Sequence, residues 1–150
     1  MAEAKADKQA LQQRQNELEN WFHDVLHVSE KTGLLPLSGD ASFRRYFTAI
    51  VGNTTYVLVD APPETEDSRT FVQIAENLLA ADINVPEVHA VDYEKGFMCL
   101  SYLGETMLWN KLAALKQQNG LTEVQGIYRQ AFNILLRIQG KREGSDILLP

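Results

Sequence analysis

A chain of 150 residues with 45% hydrophobic side chains is one ordinary domain's worth of sequence, long enough to bury about two-thirds of its unfolded surface without staples. A formal net charge of −6 and a pI near 5.0 exclude a general affinity for nucleic acid or anionic lipid, since both need a basic face to displace counterions. A single cysteine, Cys99, excludes a disulfide framework and a cysteine-rich metal site and fits a reducing, cytoplasmic setting, while no stretch approaches the ~20 apolar residues of a membrane span.

In residues 5–28, Leu11, Leu18, Trp21, Phe22, Val25 and Leu26 recur at helical spacing among Gln, Glu, Lys and Arg, which predicts an amphipathic helix. His23 and His27 lie one turn apart, the interval of a two-histidine metal face, but no HExxH context accompanies them; surface or partly packed histidines are the commoner case. After Lys31-Thr32-Gly33 the period changes. LLPL and FRRYFTAIV predict two strands, Gly52-Asn53-Thr54 a hairpin turn, and TYVLVDA a third strand with Tyr56, Leu58 and Asp60 on one face. Pro62-Pro63 ends that strand, and Asp67 or Ser68 caps a helix whose Phe71, Ile74, Ala75, Leu78 and Leu79 form a stripe.

That helix stops between Asp82 and Pro86, and EVHAVDYEKGFMCLSYLG then predicts a strand, a turn at 94–96 and a strand. Two more helices follow, over 107–118 and 122–139, parted by Asn119-Gly120, with Gly126 weakening the second. The element order predicts an α+β domain with a five-stranded antiparallel sheet. It divides into an N-terminal helix (1–30), a sheet-bearing segment (31–104) and a helical segment (105–150).

Candidate chemistry sits between the first two strands, in PLSGDASFRRYF. Gly39, Ala41 and Ser42 leave backbone N–H groups unobstructed, and phosphate oxygens are the natural ligand of such a nest. Arg44 and Arg45 point to opposite faces of the strand that follows, so only one of them faces the same ligand, where a guanidinium fork suits a phosphate. From spacing alone, a plain turn with both arginines paired to surface carboxylates is the commoner arrangement.

The order of elements, a glycine-containing hairpin, a third strand, a helix, two strands and an abrupt connector at SYLG, is that of the small lobe of protein-kinase-like phosphotransferases. GDASFRRYF, YVLVDAPPE, VPEVHAVD and GFMCLSYLG together resemble the aminoglycoside phosphotransferase superfamily, and within it the bacterial anomeric kinases for N-acetylmuramic acid and N-acetylglucosamine. The resemblance covers most of 35–108. It implies that Ser38, Gly39, Asp40, Ala41, Ser42 and Phe43 form the loop over the phosphates of ATP, with Arg44 or Arg45 at its exit. It places Asp60 at or near the third-strand position where kinases keep a phosphate-pairing lysine, so that cationic compensation must come from Mg²⁺ or an arginine. It makes Glu76 the candidate for the carboxylate of the kinase-type helix, an ordinary solvated glutamate being equally compatible, and Ser101, Tyr102 and Leu103 the hinge that reads the adenine edge. Leu58, Val85 and Leu100 become candidate walls of the adenine slot, ordinary core being equally compatible for all three.

What the superfamily keeps in its large lobe, a catalytic loop of the HxDxxxxN kind and a metal-binding aspartate motif, has no match here. The expectation is therefore a small lobe with the first helices of the large one, belonging to an ATP- and Mg²⁺-dependent sugar kinase of peptidoglycan recycling, and inactive as this chain. No catalytic or metal-ligating residue is assigned. The apolar stripe Val124, Ile127, Tyr128, Ala131, Ile134, Leu135 and Ile138 on the helix 122–139 would favour self-association if uncovered. The alternative is a non-catalytic domain that binds nucleotide or a partner protein.

Overall fold

The computed structural model describes residues 2–29, 32–37, 43–118 and 120–140, with the backbone alone for 2–7 and 140. In chain order the elements are α1 (Ala2–Leu26), β1 (Leu35–Pro36), β2 (Arg45–Val51), β3 (Thr54–Asp60), α2 (Ser68–Ala80), β4 (Val88–Asp92), β5 (Phe97–Ser101), α3 (Leu108–Gln117) and α4 (Leu121–Gly140). The strands form one antiparallel sheet in the order β1-β2-β3-β5-β4, the α+β small-lobe arrangement anticipated above. The first strand is shorter than LLPL suggested. Pro36 has no N–H to give the ladder, and among the described residues the register of this edge strand is Leu35↔Thr48 and Pro36↔Phe47.

The pleat divides the sheet into two buried faces. Phe47↔Leu58 and Leu58↔Cys99 are direct cross-strand pairs, so Phe47, Leu58 and Cys99 share a side, and Leu18 and Phe22 of α1 close over them. Trp21, from the same helical stripe, packs its ring 5.9 Å from that of Phe97. On the other side Val59, Met98 and Leu100 meet Val72 and Phe71 of α2. Both faces are therefore covered, one by each helix, and each fully buried Leu or Phe contributes about 1.5–3 kcal/mol of transfer free energy. One residue too many in β4 breaks the alternation: Val88 pairs with Leu100 and Ala90 with the adjacent Cys99, a bulge that turns Val88 and Val91 toward the α2 side.

Local chemistry sets the ends of the elements. Asp67 is the α2 cap: its carboxylate accepts from the N–H groups of Arg69 (2.9 Å) and Thr70 (3.3 Å) and from the Thr70 hydroxyl (2.5 Å). These bonds hold Asp67 below the usual carboxylate range, the Thr70 hydroxyl contributing most. His27 takes φ 53° at the end of α1, where the Val28 N–H reaches the His23 carbonyl (2.9 Å), a left-handed helix stop. His23 instead lies against the hydroxyl and N–H of Thr32. Among the described residues no group of three or more His, Cys, Asp or Glu side chains comes together.

The contacts divide the chain into two compact units, Met1–Glu76 with Pro86–Tyr102, and Asn77–Val85 with Leu103–Pro150. The first holds the sheet and α1. In the second, Asp82 (φ 59°) ends α2, and the Arg137 guanidinium of α4 donates to the Asp82 carbonyl (2.5 Å) and carboxylate (2.9 Å) and to the Ala81 carbonyl (3.3 Å). A cation there satisfies the orphan carbonyls of α2 and opposes its dipole. Also in this unit, α3 and α4 form a groove of about 540 Å³ lined by Trp109, Leu112, Leu121, Val124 and Tyr128.

Candidate nucleotide site

The anticipated phosphate loop falls on 38–43. Ser38, Gly39, Asp40, Ala41 and Ser42 lie outside the described residues, while Phe43 is exposed and opens the segment that leads into β2. The loop springs from the end of the β1–β2 pair, where Leu37 N–H still donates to the Tyr46 carbonyl (2.9 Å). A hollow of about 360 Å³ at that end is lined by Leu37, Arg44 and Arg45 among others, with Gln15 of α1 beside them.

The two arginines part to opposite faces, as alternation requires. Arg45 turns to the α1 side and meets Asp60, its direct cross-strand partner. Asp60 is fully buried, the only acidic residue in the core among those described. Its Oδ2 accepts from Nε (3.0 Å) and Nη2 of Arg45, and its Oδ1 from Nε (3.0 Å) and Nη2 (2.5 Å) of Arg14. Two guanidinium forks thus occupy both carboxylate oxygens. The clamp extends further: Arg14 donates to the Lys95 carbonyl (2.8 Å) in the β4–β5 turn, and Arg45 to the Leu11 carbonyl (3.1 Å) in α1. The hydrogen bond to Asp60 also holds the Arg14 guanidinium even more firmly in its charged form than usual. One buried acid therefore ties α1, β2, β3 and a turn together at the exit of the loop.

Arg44 turns to the α2 side. Its Nε lies 2.8 Å from Glu66 Oε2 in an ion pair, and its guanidinium carbon is 5.3 Å from the centre of the Phe71 ring. Glu76, further along α2, is exposed. Asp60 and Glu76 thus belong to opposite sides of the sheet and are not brought together. Ser101 ends β5 opposite Tyr56 of β3; its hydroxyl accepts from the Glu87 N–H (2.9 Å) and its own N–H donates to the Glu87 carbonyl (2.9 Å). Tyr102 follows half-buried and Leu103 exposed.

The suggested slot walls need correction. Leu58 packs in the α1-side cluster and Leu100 in the α2-side cluster, so the pleat forbids both from lining one slot. Leu100 shares its face with its cross-strand neighbour Val57.

Two participants escaped the sequence reading. Arg14 lies four residues before Leu18 on the stripe that α1 buries, and a lone arginine on an apolar stripe is the signal that would have marked it. Glu66 carries no comparable signal, because its partner is twenty-odd residues away in another element.

The APH family model, described as the phosphotransferase enzyme family, matches residues 33–142. Three curated relatives bear the name N-acetylmuramate/N-acetylglucosamine kinase. That of Pseudomonas aeruginosa PAO1 is 51% identical over 71 residues, 47% of this chain and 21% of the relative. That of Pseudomonas putida KT2440 is 38% identical over 106 residues, 71% of this chain and 29% of the relative. That of Neisseria meningitidis serogroup B strain MC58 is 33% identical over 134 residues, 88% of this chain and 38% of the relative. The chain therefore spans well under half the length of the relatives it matches. Given a family match that runs unbroken through the sheet, the connector after β5 and both later helices, the chain belongs to the phosphotransferase enzyme family.

Proposed function

We propose that this chain is the nucleotide-binding part of an ATP-dependent sugar kinase that phosphorylates the anomeric hydroxyl of N-acetylmuramate or N-acetylglucosamine in the cytoplasm. The observation that carries the reading is the family match over 33–142 coinciding with a small-lobe sheet; the acceptor comes from the names of the relatives. In this reading Ser38, Gly39, Asp40, Ala41, Ser42 and Phe43 lie over the phosphates. Arg44 is on the nucleotide side, and Asp60 acts from behind the sheet by fixing Arg14 and Arg45. Glu76 is the helix carboxylate, and the backbone of Ser101, Tyr102 and Leu103 meets the adenine edge. ATP, when bound, supplies the transferred phosphoryl group; the residues of this chain bind and orient it.

Mg²⁺ belongs to the proposed complete reaction, but the donor set for it is not assembled among the described residues, and none of them is assigned to it. The chain alone is expected to bind nucleotide and to transfer no phosphoryl group to either amino sugar. Calorimetric titration with ATP and Mg²⁺, with Gly39→Val beside the wild type, tests this. Expected is binding by the wild type and about tenfold weaker binding by the variant, whose branched side chain blocks close backbone approach. No binding by the wild type would overturn the proposal, and sugar phosphorylation by the purified chain would overturn only its expected inactivity alone.

A second reading rests on a separate observation. Leu121, Tyr128, Phe132, Leu135 and Leu136 of α4 are all exposed, which favours a domain that associates with itself or with a partner protein through α4.

A further inference from the structure

We propose that Arg44, held by Glu66, is the cation that pairs with the nucleotide phosphates, in the role that the third-strand lysine has in other protein-kinase-like enzymes. The inference rests on the nucleotide-binding reading above and goes beyond it by assigning the phosphate contact and the residue that positions it.

The third strand has no cation to offer on the α2 side. The side chains it presents there are Val57 and Val59, followed by Ala61, all packed with α2. Its one charged residue points the other way, is an acid, and has both oxygens engaged by Arg14 and Arg45. Arg45 is thereby committed to the α1 side as well. Arg44 is the neighbour that alternation sends to the α2 side, directly after the candidate phosphate loop.

Its setting suits a phosphate contact. The side chain is 22% exposed, so the guanidinium is largely desolvated yet reachable. Glu66 is 15% exposed and 2.8 Å away. The ion pair with Glu66 restrains the guanidinium, and a restrained guanidinium loses less freedom on binding a phosphate. Glu66 lies in the connection between β3 and α2. The acid thus comes from just before the helix that supplies the glutamate in kinases, while the cation comes from the residue before the second strand instead of from the third.

The test uses the purified chain, a ribose-labelled fluorescent ATP analogue, unlabelled adenosine as competitor, and urea unfolding of each variant. Arg44→Met is expected to weaken the ATP analogue about 10- to 100-fold, the range of a charge-assisted contact, and Arg44→Lys to fall between, since it keeps the charge and loses the fork. Adenosine, which has no phosphate, should bind wild type and Arg44→Met alike. Glu66→Gln, nearly isosteric, should weaken the analogue roughly three- to tenfold by freeing the guanidinium. The exchange R44E/E66R should recover the unfolding midpoint by restoring the pair but stay as weak as Arg44→Met toward ATP.

Undiminished ATP affinity in Arg44→Met, equal losses for adenosine and ATP, or wild-type affinity in the exchange variant would each reduce the pair to a structural one. Unchanged or tighter binding by Glu66→Gln would overturn the positioning role of Glu66. Absence of nucleotide binding by the wild type removes the underlying reading, and this inference with it. Binding by the wild type that survives Arg44→Met removes this inference alone.

Discussion

At the scale of single residues, two buried polar groups behave in opposite ways. Asp60 is charged and its burial is compensated by four N–H donors from Arg14 and Arg45; removing that charge leaves two arginines competing for a neutral amide. Asp60→Asn is expected to cost about 3 kcal/mol, the low end for breaking a buried pair because both arginine heads keep some solvent contact. Urea unfolding measures it, and a loss below about 1 kcal/mol would rank the cluster with surface pairs. Cys99 has no such partner among the described residues, and burial pushes its thiol up from 9.0 to about 12.

The sign of the resulting pH effect follows from which state ionises first. Below pH 9 the thiol is neutral in both states and contributes nothing. Between 9 and 12 the unfolded chain loses the proton that the folded chain keeps, so stability falls as pH rises, by up to about 1.4 kcal/mol per pH unit. Cys99→Ala should lack this loss. Unfolding curves of the two proteins that stay parallel from pH 8 to 11 would contradict the assignment.

At the scale of elements, the turn joining β4 to β5 shows how backbone geometry, rather than side-chain preference, decides a residue. Gly96 has φ +70°, its N–H donates to the Asp92 carbonyl (2.8 Å), and its carbonyl accepts from the Ala61 N–H (2.8 Å). A Cβ placed there would stand 1.9 Å from the Ala61 carbonyl oxygen. Gly96→Ala therefore combines a left-handed backbone with a backbone clash, and a loss of more than about 2 kcal/mol is expected in thermal unfolding; a variant as stable as the wild type would mean the turn has another accessible form. The same turn carries the Lys95 carbonyl that Arg14 holds, so its distortion should also loosen the clamp on Asp60.

At the scale of the whole molecule, α4 has one wide apolar face, and its Leu121, Tyr128, Phe132, Leu135 and Leu136 are exposed, with Trp109 of α3 exposed as well. Uncovered apolar surface of this kind drives association. Light scattering coupled to size exclusion is expected to give a mass that rises with concentration, and Phe132→Glu with Leu136→Lys should shift it toward a monomer. A concentration-independent monomer would set this surface aside.

The sequence by itself determined where helices and strands lie, because periodicity is local: a 3.6-residue stripe or a two-residue alternation is complete within one element. The turns at Gly52 and Gly96 and the shared face of Tyr56, Leu58 and Asp60 were legible for the same reason, and the cap was narrowed to Asp67 or Ser68, between which the structure chose Asp67. Tertiary structure decided what depends on residues distant in the chain. Arg14 reaches Asp60 only because α1 crosses the sheet, Arg44 finds Glu66 only because the connection before α2 returns beside β2, and Leu58 and Leu100 are separated only because the pleat of adjoining strands assigns each to a different face. Ion pairs across dozens of residues leave no periodic trace, so the partners that give the candidate site its charge were decided by the fold.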